Sequence, residues 1–296
     1  MSDEAIQRLA LYFASEASRQ AYLARQALGR PLPGDPQLAG RLRQELAAGI
    51  RADGTVSGGA VQTIWRVHEL LDLGQPEDST AIRRSVAWMY EQQDHPGAFH
   101  DGCDRIRHAR RLCQHFIAGF FSPAPPTQRL APVTLPTGKV FRVELAARFA
   151  ISCLALRAAL RVGDEERPAI RRHLQSLAQI SEQWTEWNGY FAPDVIVAGL
   201  HALATAGERY REVVSRLVDL VTANQAVEGD WPSADLFQVL DALLAADTPA
   251  AHVTVRRAST AVLARQRADG TFGTTAQQER ALIGLRALLR AAHSPA

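Results

Sequence analysis

Residues 225–247 read QAVEGDWPSADLFQVLDALLAAD, and this stretch decides the fold. A glutamine is followed by a glycine at Gly229, by an aromatic residue two positions later at Trp231, and then by a short polar segment. After Asp235 comes an apolar run that contains the pattern L-x-A-L. Glycine adopts the positive φ that ends many helices, and the apolar run has the composition of a buried helix. The stretch therefore predicts a turn that leads from one helix into the next.

Similar stretches recur along the chain. Good copies begin at Trp187 and Gln266, and looser copies begin at Arg51, Gln92 and Thr137. The turn glycines of the six copies lie 40 to 51 residues apart, and they are Gly54, Gly97, Gly138, Gly189, Gly229 and Gly270. That period is the length of two helices and two loops, which indicates a helical-repeat architecture.

We therefore expect an all-α protein, an (α/α)6 toroid of six helical hairpins within a single domain that spans residues 1–296. The repeats occupy residues 36–292, and the helices after the glycine turns form the inner ring. Residues 1–35 are predicted to add one extra N-terminal helix packed outside the ring. Residues 121–140 contain five prolines and are predicted to form a loop insertion, which is either a cover for one mouth of the toroid or a plain structural insertion. The segment RLAPVTLPTGKVF within it has the pattern of one short β-hairpin.

The repeats carry a family resemblance. Gln225–Gly229–Trp231 reads Q-x-x-x-G-x-W, and Gln266–Gly270–Phe272 and Gln93–Gly97–Phe99 read Q-x-x-x-G-x-F. These triplets resemble the QW repeats of terpenoid cyclases and the related repeats of protein prenyltransferase β subunits. The resemblance implies a toroid around a central, mostly apolar cavity, and an enzyme that acts there on an apolar, isoprenoid-like small molecule. A non-catalytic toroid that binds a ligand or a protein is the alternative, because related toroids host several activities.

The acid motifs of the family are missing. The chain has no D-x-D-D, with which squalene-hopene-type cyclases protonate an alkene, and no D-D-x-x-D. Acidic residues do occur where inner helices begin, at Asp194 and Asp235. Each is either the N-cap of its helix or part of a ring of acids, whose clustering would raise a pKa and create a general acid.

Residues 97–121, GAFHDGCDRIRHARRLCQHFIAGFF, are the most polar part of any predicted inner helix. Asp104, His108, Arg111 and His115 fall on one helical face. This stripe is either a hydrogen-bonded ladder or the polar end of the cavity. In the second case His108 or His115 acts as acid or base, since histidine titrates near neutral pH, and Arg111 binds an anionic group of the substrate.

A metal is the third alternative for function. Prenyltransferase β subunits hold zinc with an Asp-x-Cys pair and a histidine on the next inner helix, and Asp101–Gly102–Cys103 resembles the first part of that motif. The next predicted inner helix, residues 141–160, contains no histidine. The sequence requires no cofactor and leaves a zinc-dependent transferase or cyclase open, with Asp101 and Cys103 among the ligands.

Two further groups of residues concern the cavity wall. Trp65 and Phe237 lie on inner helices and are the candidates for aromatic walls that stabilise a carbocation. His68, His201, Asp241 and Arg286 occupy equivalent columns near the far ends of their helices, which predicts a polar rim.

Composition bounds the partners and the compartment. The net charge is +2, with a basic block only at residues 105–111, so the chain lacks the electrostatic footprint of a nucleic-acid-binding protein. Three cysteines suit a reducing compartment, and no apolar run reaches the length of a membrane span. We expect a cytoplasmic protein with an apolar small-molecule ligand. Peripheral membrane contact stays open, and the sequence does not specify a protein partner.

Overall fold

A computed structural model describes residues 2–92, 129–189 and 192–293. The helices of these residues are α1 (Ser2–Ala14), α2 (Arg19–Ala27), α3 (Asp35–Ala48), α4 (Ala60–Asp72), α5 (Thr80–Glu91), α6 (Glu144–Arg161), α7 (Pro168–Ser181), α8 (Pro193–Thr205), α9 (Arg211–Ala223), α10 (Leu236–Ala246), α11 (Pro249–Arg265) and α12 (Gln277–His293). A short 3-10 helix, Gly207–Tyr210, precedes α9. Two short strands, β1 (Val133–Thr134) and β2 (Val140–Phe141), pair in antiparallel fashion. The prediction of an all-α protein is confirmed.

The helices form a closed double ring. The even-numbered helices contact one another in the order α2, α4, α6, α8, α10 and α12, and α12 contacts α2 again. Each odd-numbered helix packs on two even-numbered neighbours, as α9 does on α8 and α10. The described residues therefore form the six hairpins of an (α/α)6 toroid.

The N-terminal residues take a different place from the predicted one. Instead of one extra helix outside the ring, residues 2–27 form α1 and α2, and α2 is an inner helix that contacts α4 and α12. The chain breaks between the two because Ser18 caps α2, its hydroxyl accepting a hydrogen bond from the amide of Ala21 at 3.2 Å. The inner helices α4 and α6 contact each other directly, so the N-terminal hairpin is one of the six hairpins of the ring. The Gln93–Gly97–Phe99 repeat lies outside the described residues.

The glycine turns explain how the hairpins join. Gly229 has φ 92°, and a Cβ on it would lie 2.3 Å from the carbonyl oxygen of Arg257 on α11. The amide of Gln225 donates to the carbonyl oxygens of Gly229 and Thr254, at 2.9 and 3.1 Å. Each turn is thereby fixed to the backbone of the next outer helix, as the repeat pattern predicts.

The same device closes the ring. Gly270 has φ 86°, and a Cβ on it would lie 2.8 Å from the carbonyl oxygen of Arg8 on α1. The amide of Gln266 donates to the carbonyl oxygen of Ala5 at 3.0 Å and accepts from the guanidinium of Arg8. The turn at Gly270 therefore packs on the backbone of α1 as the turn at Gly229 packs on the backbone of α11. This contact makes α1 the outer helix of a repeat.

The predicted hairpin in the Pro-rich segment is present and lies across one mouth of the ring. Its tip is fixed to α12, because the carbonyl oxygen of Thr137 accepts from Nε of Arg280 at 2.9 Å, and to α8 through an ion pair of Lys139 with Asp194 at 2.5 Å. At its base, the carboxylate of Glu144 accepts hydrogen bonds from the amides of the preceding loop. Residues 129–141 therefore cover the mouth at which the inner helices begin, and residues 121–128 lie outside the described part.

The inner helices α6, α8 and α10 are buried on most sides, which explains their apolar composition. In α8, ten of the thirteen residues are buried, because one face packs on the outer ring and the other faces the axis. Within residues 2–92, 129–189 and 192–293, no helix combines the length and the apolar character that a membrane span requires.

Candidate functional site

A cavity of about 980 Å³ opens at the mouth where the inner helices end. Its lining residues come from α2, α4, α6, α8, α10, α11 and α12, and they are Ala27, Asp72, Arg157, Arg161, His201, Thr205, Asp241, Leu244, Ala245, His252, Arg286, Leu289 and Arg290. The predicted polar rim is confirmed for His201, Asp241 and Arg286. Six of the thirteen lining residues are charged, so charged side chains share this part of the predicted cavity with apolar ones.

Asp241 is the central acid of this cavity. Its Oδ2 lies 3.5 Å from Nδ1 of His201 on the neighbouring helix. Burial raises the pKa of the Asp241 carboxyl, while the charges of Arg157 and Arg286 act in the opposite direction. The pKa of His201 is held well below its usual value by burial and by Arg157. The pair therefore combines a carboxyl group that favours its proton with a neutral imidazole.

His68, the fourth member of the predicted column, lies fully buried behind the cavity wall. Its Nε2 is 3.2 Å from the carbonyl oxygen of Leu154, and its Nδ1 is 3.1 Å from the guanidinium of Arg161. Because Nδ1 faces a guanidinium donor, it acts as the acceptor and Nε2 carries the proton. Burial, with Arg157 next, lowers the pKa of this imidazole well below its usual value.

A network of ion pairs joins the N-terminal hairpin to the cavity wall. Arg19, which is 5% exposed, pairs with Asp72 and with Glu279. Its guanidinium also lies 5.2 Å from the ring centroid of Trp65. Arg161 completes the network, donating to the second oxygen of Asp72 at 2.8 Å. Four ionisable side chains from α2, α4, α6 and α12 thus form one connected network, in which Asp72 and Arg161 line the cavity.

The opposite mouth carries the acids that the sequence singled out. Asp235 is the N-cap of α10, its Oδ1 accepting from the amides of Phe237 and Gln238 at 3.1 Å. Its other oxygen pairs with Arg280 at 2.7 Å. Asp194 lies in the first turn of α8 and pairs with Lys139, and its buried Oδ1 has no hydrogen-bond partner in the described chain. The pKa of Asp194 is raised, mainly by burial and to a smaller extent by Asp235.

The two mouths are separated by a narrow middle section. A cavity of about 30 Å³ lies beneath the hairpin tip. Trp65 and Arg157 are among its lining residues, together with the buried side chains of Thr137 and Gln238. Trp65 therefore faces the interior, as predicted for a wall residue, whereas the ring of Phe237 packs 5.1 Å from that of Phe272.

The structure does not test the predicted polar stripe or the predicted zinc ligands. Asp101, Cys103, Asp104, His108, Arg111 and His115 are outside the described residues. Among residues 2–92, 129–189 and 192–293, no three histidine, cysteine, aspartate or glutamate side chains are arranged to hold a metal ion. Nothing in this part of the chain supports zinc, and its assignment to Asp101 and Cys103 stays a prediction.

Sequence reasoning missed the two arginines of α6 that line the cavity, Arg157 and Arg161. A signal was available, because both interrupt the apolar run ISCLALRAALRV at a spacing of four residues. A charged residue inside a helix that is otherwise buried on all sides needs a partner or a polar cavity. Applied to α6, that rule would have found them.

A closed ring of six helical hairpins with a cavity between its inner helices is an (α/α)6 toroid, a fold that hosts several activities. Comparison with solved structures agrees. The type II terpene cyclase MstE from Scytonema superposes with a TM-score of 0.59 at 13% identity, over 98% of this chain and 98% of the other. A variant of the same enzyme in complex with geranylgeranyl dihydroxybenzoate, its substrate, gives the same TM-score. A protein from Actinoplanes superposes with a TM-score of 0.59 at 14% identity, over 99% of this chain and all of the other.

At these identities the likeness establishes the fold. No protein-family model matches the chain, and no curated protein matches it in sequence.

Proposed function

We propose that the chain is a terpenoid cyclase-like enzyme that acts on an isoprenoid-like substrate in the central cavity, with Asp241 as the proton donor. The observation that carries the proposal is the position of Asp241, a desolvated carboxyl group beside His201 on the wall of a cavity of about 980 Å³. The fold, which the chain shares with type II terpene cyclases, supports an assignment to this chemistry.

The surroundings of Asp241 suit an acid that must both hold and release a proton. Burial raises the pKa of the Asp241 carboxyl and so favours its protonated form. When the proton moves to an alkene carbon of the substrate, the carboxylate that remains is stabilised by Arg157 and Arg286. The substrate cation then cyclises and loses a proton at another carbon, so the reaction as a whole is an isomerisation. The lost proton restores the acid.

Asp194 is the second candidate acid, at the covered mouth. Its raised pKa and its unpartnered oxygen satisfy the same physical criterion, but its ion pair with Lys139 favours the carboxylate. Asp235 is occupied by the cap of α10 and by Arg280, so its role as a catalytic residue is the weaker proposal. Roles for Asp104, His108 and His115 as acid or base, and for Arg111 in substrate binding, stay proposals on residues outside the described part.

The walls give the substrate two kinds of contact. Trp65 presents an aromatic side chain to the narrow section, where it suits an apolar chain or a developing cation. We keep Phe237 as a proposed contact of lower rank, since its ring packs on Phe272 and lies 5.2 Å from the guanidinium of Arg280.

The test uses geranylgeranyl dihydroxybenzoate, the substrate named for the Scytonema enzyme, and a panel of shorter and longer prenylated analogues. Incubation in D2O and mass spectrometry should reveal an isomer that has gained deuterium from the acid. Removing a general acid typically costs about 10²- to 10⁴-fold in rate, so we expect that loss in Asp241→Asn. Asp53→Asn, in an exposed turn, is the control and should keep the activity.

The matched variant Asp194→Asn separates the two acids. If Asp194→Asn abolishes turnover and Asp241→Asn does not, the proton donor is Asp194 and our assignment is wrong. Circular dichroism of each variant should show an intact helical spectrum.

A non-catalytic toroid that binds an apolar ligand is the second candidate. The observation that favours it is the narrow section of about 30 Å³ beneath the hairpin, which limits the space for a folded isoprenoid chain. Native mass spectrometry of freshly purified protein distinguishes the two. A co-purified lipid that is recovered unchanged, with no isomer from any analogue, would support the binding protein.

A further inference from the structure

The cavity at the open mouth is lined by more positive than negative charge. Four arginines face two aspartates along its wall. Two of the arginines have carboxylate partners: Arg161 donates to Asp72 at 2.8 Å, and Arg290 pairs with Asp247 at 2.9 Å. The unbalanced charge therefore belongs to the other two, Arg157 on α6 and Arg286 on α12.

Arg157 and Arg286 have no ion pair and no hydrogen bond within residues 2–92, 129–189 and 192–293. Nε of Arg157 is buried without a partner. The carboxyl group whose charge acts on Arg157 most strongly is Asp241, and Arg286 also faces Asp241. A guanidinium withdrawn from water without a matching anion is costly. Two arginines that share one aspartate therefore leave a place for a further negative group.

The positive charge of this region also affects the pKa values of two histidines, His68 and His201. After burial, the largest cause of the lowered pKa values of His68 and His201 is the charge of Arg157. Both imidazoles therefore stay neutral near pH 7. A cavity of one sign of charge with low-dielectric walls concentrates ligands of the opposite charge. The planar guanidinium group donates in pairs to carboxylate and phosphate oxygens.

We infer that the ligand of this cavity carries an oxyanion group, of the phosphate or carboxylate type, which binds between Arg157 and Arg286, and that its binding favours the protonated form of Asp241. The inference rests on the proposed function in taking this cavity as the substrate site. It adds that the substrate carries an oxyanion group and that this group favours the protonated form of Asp241.

The coupling follows from the charges that face Asp241. They come from every inner helix packed around it, and they are Asp72, His201, Arg19, Arg157 and Arg286. The two cavity arginines stabilise the Asp241 carboxylate. An oxyanion bound between them offsets their positive charge, so the carboxylate loses that support and takes up a proton from solvent. By reciprocity the oxyanion binds more tightly as the pH falls.

The first test measures binding of sulfate and of acetate to the full-length protein by isothermal titration calorimetry. Hydrogen bonds to charged groups are individually strong, so Arg157→Gln and Arg286→Gln should each weaken binding by at least about tenfold. Arg171→Gln, which removes an exposed arginine of the outer helix α7, should leave binding unchanged. Tighter binding of sulfate would indicate a phosphate-type ligand, and tighter binding of acetate a carboxylate.

Arg286 is only half-buried, so Arg286→Gln should fold and tests the site without the risk of misfolding. At the other position, Arg157→Lys keeps the positive charge. If wild-type protein binds neither anion, or if both glutamine variants bind as wild type does, the inference is wrong. Unchanged binding in the variants would leave the proposed function untouched. Retained anion binding without turnover of any isoprenoid would instead contradict the proposed function alone.

The second test measures the proton. Sulfate keeps its charge near neutral pH, so titration in two buffers of different ionisation enthalpy reports protons taken up by the protein. We expect uptake of a fraction of one proton per sulfate in wild type and none in Asp241→Asn. Equal uptake in both proteins would refute the coupling to Asp241.

Discussion

Closure of the ring through Gly270 can be tested by adding a single methyl group. Gly270→Ala places a Cβ 2.8 Å from the carbonyl oxygen of Arg8, about 0.6 Å closer than ordinary contact, which begins at 3.4 Å. The obstacle is the backbone of α1, which cannot rotate away as a flexible side chain would. Either the turn or the first outer helix must therefore move.

The expected cost has two parts. Alanine at φ 86° is strained, and a left-handed conformation costs about 1–2 kcal/mol in a residue with a Cβ. Displacing α1 disturbs a packed face that includes the fully buried side chains of Leu9 and Phe13. Overpacking of this kind typically costs about 1–3 kcal/mol. We therefore expect Gly270→Ala to lower the free energy of unfolding by about 2–5 kcal/mol.

Gly273→Ala is the matched control. It lies three residues later at φ 70°, and a Cβ there meets nothing within 4 Å. This variant should show the conformational strain alone, about 1–2 kcal/mol. Urea unfolding gives both values, and hydrogen exchange should show faster opening of residues 2–27 in Gly270→Ala only. Equal losses in the two variants, without added exchange in α1, would refute the closure of the ring through this turn.

Three further predictions concern stability. Burial lowers the pKa of His173 to about 3, so the folded state keeps this imidazole neutral. The stability present above pH 6.5 should therefore be lost as the pH falls towards 3, by up to about 1.4 kcal/mol per pH unit. In a pH series of urea titrations, His173→Leu should remove this dependence. Trp231→Phe removes the indole hydrogen bond to the carbonyl oxygen of Val221 and should cost about 1 kcal/mol in thermal unfolding, whereas a loss well above the scale of one hydrogen bond would show that the larger ring also fills space. Lys139→Met removes the ion pair of the hairpin with Asp194 and should increase proteolytic cleavage at residues 129–141 without changing the helical spectrum; unchanged cleavage would show that the remaining contacts hold the hairpin.

The architecture could be predicted from the repeats because their signals are local. Gly229 and Gly270 have a positive φ and leave no room for a Cβ of their own, and Gln225 and Gln266 need backbone carbonyl groups to bind. Because of these requirements, the same residue types recur at the same spacing in these repeats. The hairpin at residues 129–141 could also be predicted, since two short segments of β-branched or aromatic residues flank Pro136 and Gly138.

The position of the N-terminal residues could not be predicted from such local signals. The first hairpin lacks a glycine turn of its own, and its outer helix α1 contributes a flat backbone surface at Arg8 for the turn of the last repeat. A contact between residues 8 and 270 leaves no pattern in either segment alone. Asp241 illustrates the same limit at the cavity, because it is the one charged residue of α10 and its role depends on the arginines and the histidine of the neighbouring helices.

The joining of α1 to α12 also dictates the order in which the molecule can be completed during its synthesis. The side chains of Leu9 and Phe13 are fully buried in the finished ring, and the helices that contact α1 from the other side, α11 and α12, are synthesised after the other described helices. Until they emerge, α1 lacks these two neighbours. Contacts across some 260 residues also carry a high entropic cost of closure and slow the final step. A chaperone that shields the first hairpin would therefore have to hold it until the last described hairpin has been synthesised.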